Sequence, residues 1–250
     1  MSTGITRRSL LSLPLGLAAA PVCRADIAPY RLTAGDFAPF TQEKGPAAPG
    51  ALTEIVQAMS ARIGPPVSVE FFPWQRAQTM PLKLSRVATL PMTRIPEREA
   101  LYQWLVPLYS QDFLFIRKAT DHLDRQASVE QMRTLKIGSV RGTASIARLR
   151  GQHFPRVVET NNHEELWRML NQGMVDAICG GRVIELYNLK LLGYNAANFV
   201  LGPALEKREI WLAGSKDFTV ADVEAWTGAM KAVRHDGLYA QVLKRYGLPE

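Results

Sequence analysis

The chain has 250 residues, 47% of them hydrophobic, with 30 lysines and arginines against 23 acids and a formal net charge of +7. That length holds one large domain or two lobes of about 100 residues. The basic residues are scattered and form no stripe interleaved with aromatics, which excludes a nucleic-acid surface as the meaning of the charge. Arg7 and Arg8 precede a short apolar run over residues 9–20, and Cys23 and Ala25 make a small-x-small cleavage site before Asp26. Residues 1–25 thus read as a secretory signal, too short to span a bilayer. The paired arginines fit twin-arginine export as well as the general secretory route. Without these residues the net charge falls to +4, since they hold three arginines and no acid. Only Cys179 then remains, so no intramolecular disulfide is expected, and within VDAICGG it reads as a small buried apolar residue.

After the signal, short apolar runs alternate with amphipathic stretches, the pattern of an α/β fold. Residues 30–34 predict a strand leading into the loop GDFAPF, and residues 50–63 a helix with Leu52, Ile55, Val56, Met59 and Ile63 on one face. A strand over 67–72 follows the Pro65-Pro66 break, and a helix starts near Trp74, disturbed or ended by Pro81. A strand over 87–90 precedes the loop LPMTRIPERE, residues 90–99. Residues 113–116 (FLFI) form a short buried strand. Ser128 to Gln131 is a capping box, residues 135–140 a strand running into RGTAS, and Asn162 to Glu165 a second helix cap. Further strands are expected over 175–179 and 209–213. Thr219 caps a helix carrying Val223, Trp226, Met230 and Val233, and His235-Asp236-Gly237 separates it from a last short helix.

LPMTRIPERE carries the most chemistry. Thr93 and Arg98 lie five residues apart in a stretch where Pro91 and Pro96 forbid an ordinary helix. A rigid loop offering a hydroxyl, backbone N–H groups and a guanidinium fork is equipped to hold a carboxylate. Taken alone, the segment also reads as a surface loop with a solvated arginine.

Six motifs in order, from Tyr30 to Gly247, resemble the family 3 extracellular solute-binding proteins, the periplasmic receptors of polar amino acid ABC transporters. They are GDFAPF with the helix after it; Phe72-Pro73-Trp74-Gln75-Arg76-Ala77; LPMTRIPERE with Trp104 to Pro107; Lys136-Ile137-Gly138 through Gly142-Thr143; Gln172 to Ala177; and His235-Asp236-Gly237 to Tyr246-Gly247. The resemblance implies a two-lobed, type II periplasmic-binding-protein-like fold in which two α/β lobes, joined by two hinge strands, close on a ligand. It implies residues 26–112 as lobe 1, 113–210 as lobe 2, and 211–250 as a return to lobe 1. It further implies that Arg98 and Thr93 hold a ligand carboxylate and that Phe37 and Trp74 pack on the ligand body. From the second lobe, Thr143, Ala144 and Ser145 would complete the carboxylate cradle at a helix N-terminus. Arg76 belongs to the same aromatic stretch and is open to either the cleft or the helix surface.

Two departures bear on the ligand. Gly181 stands where relatives that bind α-amino acids usually carry an Asp for the ammonium, and Pro91 replaces a serine. The ligand is therefore a carboxylate without an α-amino group, or an amino acid held differently, with Asp36 as a substitute acid. The expected protein is a monomeric periplasmic receptor, with no cofactor or metal, that delivers a small carboxylate-bearing solute to an ABC permease. His122, His153, His163 and His235 have no metal spacing and read as surface or capping residues. No catalytic motif is present, although a dehydratase on the same fold is an alternative with Glu97 and Asp36 as its nearest acids. A sensing module not coupled to transport is another.

Overall fold

The computed structural model describes residues 28–250; the expected signal, residues 1–25, lies outside them. In chain order the elements are β1 (Arg31–Ala34), α1 (Ala51–Ile63), β2 (Val69–Phe71), α2 (Trp74–Lys83), β3 (Val87–Thr93), a 3-10 turn (Pro96–Arg98), β4 (Gln103–Lys118) and α3 (Val129–Met132). There follow β5 (Ile137–Val140), α4 (Ala144–Gly151), β6 (Val157–Thr160), α5 (His163–Asn171), β7 (Ala177–Gly181), α6 (Arg182–Leu191), β8 (Phe199–Gly214), α7 (Val220–His235) and α8 (Leu238–Arg245). No helix among the described residues is long and apolar enough to cross a membrane.

All eight strands form one sheet, in the order β2-β1-β3-β8-β4-β7-β5-β6. At one end β2, β1 and β3 pair in parallel; at the other, β7, β5 and β6 do. The two parallel triads are joined through the antiparallel pair β4 and β8, each 16 residues long. FLFI and EIWLA, predicted as short separate strands, are therefore segments of these two long strands. Each half of the sheet has its own apolar core. One gathers α1, α7 and α8 around Leu32, Leu52, Ile55, Trp226 and Leu243, and the other gathers α5 and β7 around Trp167, Leu170 and Ile178.

Local chemistry explains most of the elements. The predicted apolar face of α1 is wholly buried, and the caps at Ser128, Asn162 and Thr219 form as expected. Three expected strands, over 67–72, 135–140 and 175–179, begin two residues later, and two further boundaries differ for a physical reason. α2 continues two residues beyond Pro81, because a proline removes only its own N–H and the Leu84 N–H still closes on the Met80 carbonyl at 2.9 Å. β3 runs through Pro91 to Thr93, where a loop from Leu90 was expected. Its register against β8 shifts between Thr89 and Met92, and a bulge accommodates a residue without an N–H. The polar letters of this stretch misled, since all seven residues of β3 are buried.

The Thr219 capping box is tied to the rest of the fold by Arg86. Its Nη1 and Nη2 donate to the Asp222 carboxylate at 2.6 and 2.9 Å, and the Thr219 N–H donates to the same group at 2.7 Å. The Arg86 guanidinium thus holds the Asp222 carboxyl down at about 2, against an ordinary value of 3.8. A depressed carboxylate contributes stability that is complete above its unfolded value and lost as pH falls through its folded one. The window here runs from about pH 4 to about pH 2. In urea unfolding, Asp222→Asn should be about 1–2 kcal/mol less stable than the parent at pH 5, and the gap should close towards pH 2.

Candidate ligand-binding site

Strands β1, β3, β5 and β7 all release the chain at the same place. The carboxyl ends of strands in an open α/β sheet are where ligands settle, because loops there diverge and leave a crevice. A cavity lies at this point, with Phe37, Thr93, Val140 and Gly181 among its lining residues.

Arg98 enters the cavity from the 3-10 turn after β3 and is only 8% exposed. Its Nη2 donates to the Gly142 carbonyl at 2.8 Å and to Gln78 Oε1 at 3.2 Å. Its Nη1 donates to the Thr93 carbonyl at 3.4 Å and faces Met92 Sδ at 3.3 Å. Every one of these acceptors is neutral, and no carboxylate among the described residues pairs with the guanidinium. Burial holds its pKa below the ordinary arginine value. Arg94, four residues earlier, behaves oppositely. It pairs with Glu99 at 2.5 Å and lies over the rings of Trp104 and Trp211. The two arginines of LPMTRIPERE are thus separated by function: one is charge-paired and stacked outside, the other is buried without a counter-charge.

Facing Arg98 is the start of α4. The Thr143 hydroxyl donates to the Val140 carbonyl at 2.7 Å and makes no capping bond, so the first-turn N–H groups, Ala144 and Ser145 among them, have no side-chain acceptor. They add the positive end of the helix to the wall. Phe37 and Trp74 meet edge to face, with ring centroids 5.0 Å apart. Trp74 Nε1 donates to the Gly142 carbonyl at 3.0 Å, so this one carbonyl receives both Trp74 and Arg98. Gly142 is required there: its φ is +74°, and a Cβ would lie 2.7 Å from Gln78 Nε2.

The third wall is the β7–α6 junction. Gly180 and Gly181 admit two side chains from elsewhere. A Cβ on Gly180 would lie 2.2 Å from Glu185 Oε1, and one on Gly181 would lie 2.4 Å from Gln111 Nε2. Glu185, from the first turn of α6, is 1% exposed and accepts from Trp167 Nε1 at 2.9 Å. His163 Nδ1 stands 3.1 Å from Glu185 Oε1 but is not aligned for a hydrogen bond. The His163 ring also packs edge-on to Phe37 at 5.8 Å.

Phe37, Trp74, Thr93, Arg98, Thr143, Ala144, Ser145 and Gly181 therefore converge on one cavity. Arg76 does not. It is exposed, with its guanidinium 4.7 Å from the Phe72 ring, because it occupies the solvent face of α2. Asp36 is exposed and does not line the cavity. Glu97 is held outside by Arg148 Nη1 at 2.8 Å. His163, expected at the surface or as a cap, lines the cavity as the first residue of α5. Gln111 and Glu185 carried no motif. The available signal was the Gly180-Gly181 doublet, which marks a close approach by something larger, and a Glu one helical turn beyond it.

Cys179 also lines the cavity and is fully buried, and burial pushes its thiol well above the ordinary value. Among the described residues, no group of three or more His, Cys, Asp or Glu is placed to hold a metal ion.

The chain superposes on solved binding domains over nearly its whole described length. With a histidine kinase sensor domain similar to periplasmic binding proteins, the TM-score is 0.75 at 15% identity, covering 87% of this chain and 95% of that one. The fold is that of the type II periplasmic binding proteins. The GluR0 ligand-binding core from Nostoc punctiforme, in complex with L-glutamate, gives 0.74 at 14% identity, covering 88% and 100%. AbpA from Streptococcus pneumoniae, an amino acid ABC transporter substrate-binding protein bound to L-arginine, gives 0.71 at 18% identity, covering 87% and 94%. No protein-family model and no curated protein matches the sequence. In this fold, the antiparallel β4–β8 pair is the connection between the two lobes.

Proposed function

We propose that the chain is a periplasmic solute-binding protein of the family 3 type that captures a small carboxylate-bearing solute for an ABC permease. The observation that carries this reading is Arg98: a cation buried at 8% exposure whose protein partners are all neutral. A buried charge without a counter-charge is costly, and an incoming carboxylate removes that cost while accepting a bidentate pair. Thr93 and the α4 N–H groups add donors to the same anion, and Phe37 with Trp74 encloses the ligand body. Residues 26–112 with 211–250 form one lobe and 113–210 the other. Ligand contacts to both lobes would hold the closed state. Residues 1–25 serve as the export signal, and the mature monomer works in the periplasm without a cofactor and without catalysis.

The likeness to AbpA supports transport. A second reading, a sensing module that passes the ligand state to another partner, is favoured by the likeness to a histidine kinase sensor domain. A thermal-shift screen of organic acids and amino acids tests the reading common to both. A carboxylate at about 100 times its dissociation constant should stabilise the protein by roughly 2.7 kcal/mol. Stabilisation by uncharged sugars or by amines, with none by any carboxylate, would refute it.

A further inference from the structure

Taking Arg98 as the carboxylate anchor, we propose that the cavity selects an oxygen-rich organic anion that carries no ammonium group, with Gln111 and His163 as the specificity-determining residues. The class is a dicarboxylate, or a hydroxy- or oxo-carboxylate. Its first carboxylate meets Arg98, and its second oxygen group meets Gln111 Nε2 and His163.

Several donors on the cavity wall have no protein acceptor. Gln111 is 4% exposed; its Oε1 accepts the Val183 N–H at 3.1 Å, while its Nε2 has no partner. Neither ring nitrogen of His163 has a hydrogen-bond partner, and a histidine always offers at least one N–H. Arg98 and the first-turn N–H groups of α4 add further donors. Glu185 is the one carboxylate on the lining, and the residue is 1% exposed. Oε2 takes the Trp167 indole N–H, while Oε1 is wedged between the Gly180 backbone and His163. Oε2 is thus committed to Trp167, and Oε1 stands beside the His163 imidazole. The Gln111 amide fills the space over Gly181, which leaves no room for an acidic side chain at that position. An ammonium brought into this cavity would carry up to three N–H donors into a wall of donors, at the cost of burying a poorly paired charge.

The test is calorimetric titration of the mature chain with matched pairs: succinate and L-aspartate, glutarate and L-glutamate, L-lactate and L-alanine. The proposal expects the member without the amino group to bind at least ~10-fold more tightly in every pair that binds, the least that one lost charged hydrogen bond produces. Gln111→Glu keeps the acceptor for Val183 and turns the donor into an acid. It should weaken the best acid by ~100-fold without lowering the melting temperature of the free protein. An amino acid that binds more tightly than its partner, and loses that advantage in Glu185→Gln, overturns the proposal while leaving Arg98 as the anchor. Failure of every carboxylate to bind removes the anchor, and the proposal falls with it.

Discussion

Arg98→Met is expected to weaken ligand binding sharply without unfolding the protein. Methionine approximates the arginine stem but brings no charge. The bound carboxylate would then lose its counter-charge, at a cost of about 2–5 kcal/mol, a ~30- to ~5,000-fold rise in Kd. In the free protein the cation meets only neutral groups, the Gly142 and Thr93 carbonyls, Gln78 Oε1 and Met92 Sδ. Replacing a buried charge of that kind with an apolar side chain is often neutral or stabilising. The melting temperature of free Arg98→Met should therefore equal or exceed that of the parent. Titration calorimetry and a thermal melt on the same preparation separate the two effects. Loss of both binding and fold would make Arg98 a structural residue.

Gly180→Ala is expected to be among the most destabilising single methyl additions in the chain. Its Cβ would sit 2.2 Å from Glu185 Oε1 and 2.8 Å from Glu185 Cδ and Cγ, well inside contact distance. The carboxylate cannot retreat into solvent, being 1% exposed, and moving it breaks the bond from Trp167, itself fully buried. Overpacking together with an orphaned indole N–H predicts a loss of about 2–4 kcal/mol in denaturant unfolding. Combining it with Glu185→Ala should make the second substitution cost far less than it does alone, because the clash is removed at its source. Strict additivity would show that Glu185 moves freely and that the glycine serves another purpose.

The architecture was legible because each half is built from local signals that tertiary packing did not override. The α1 face, the Ser128, Asn162 and Thr219 caps and the Gly237 break each formed where the residues required. The length of β4 and β8 was not legible. Asp112 and Arg208 interrupt their apolar runs, and long strands shared between two lobes face solvent in some parts and core in others. On the cavity wall, the residues legible in the sequence were those in motifs that carry the family resemblance, Thr93 and Arg98 of one short segment above all. Gln111, His163 and Glu185 did not come through, because each reaches the cavity from a different element. Only the two glycines opposite them record in the sequence that something must fit there. Arg76 failed for the converse reason. It sits two residues after Trp74, and two residues along a helix are a rotation of about 200°, which carries it to the solvent side.

The central claim is that Arg98 is a carboxylate site, and the structure of a complex tests it most directly. Crystals grown with the best acid from the thermal-shift screen should place a carboxylate about 2.7–2.9 Å from the Arg98 guanidinium nitrogens, with its second oxygen within reach of Thr93. A ligand seated with its carboxylate elsewhere, and Arg98 still bonded only to Gly142, Gln78 and Thr93, would contradict the account.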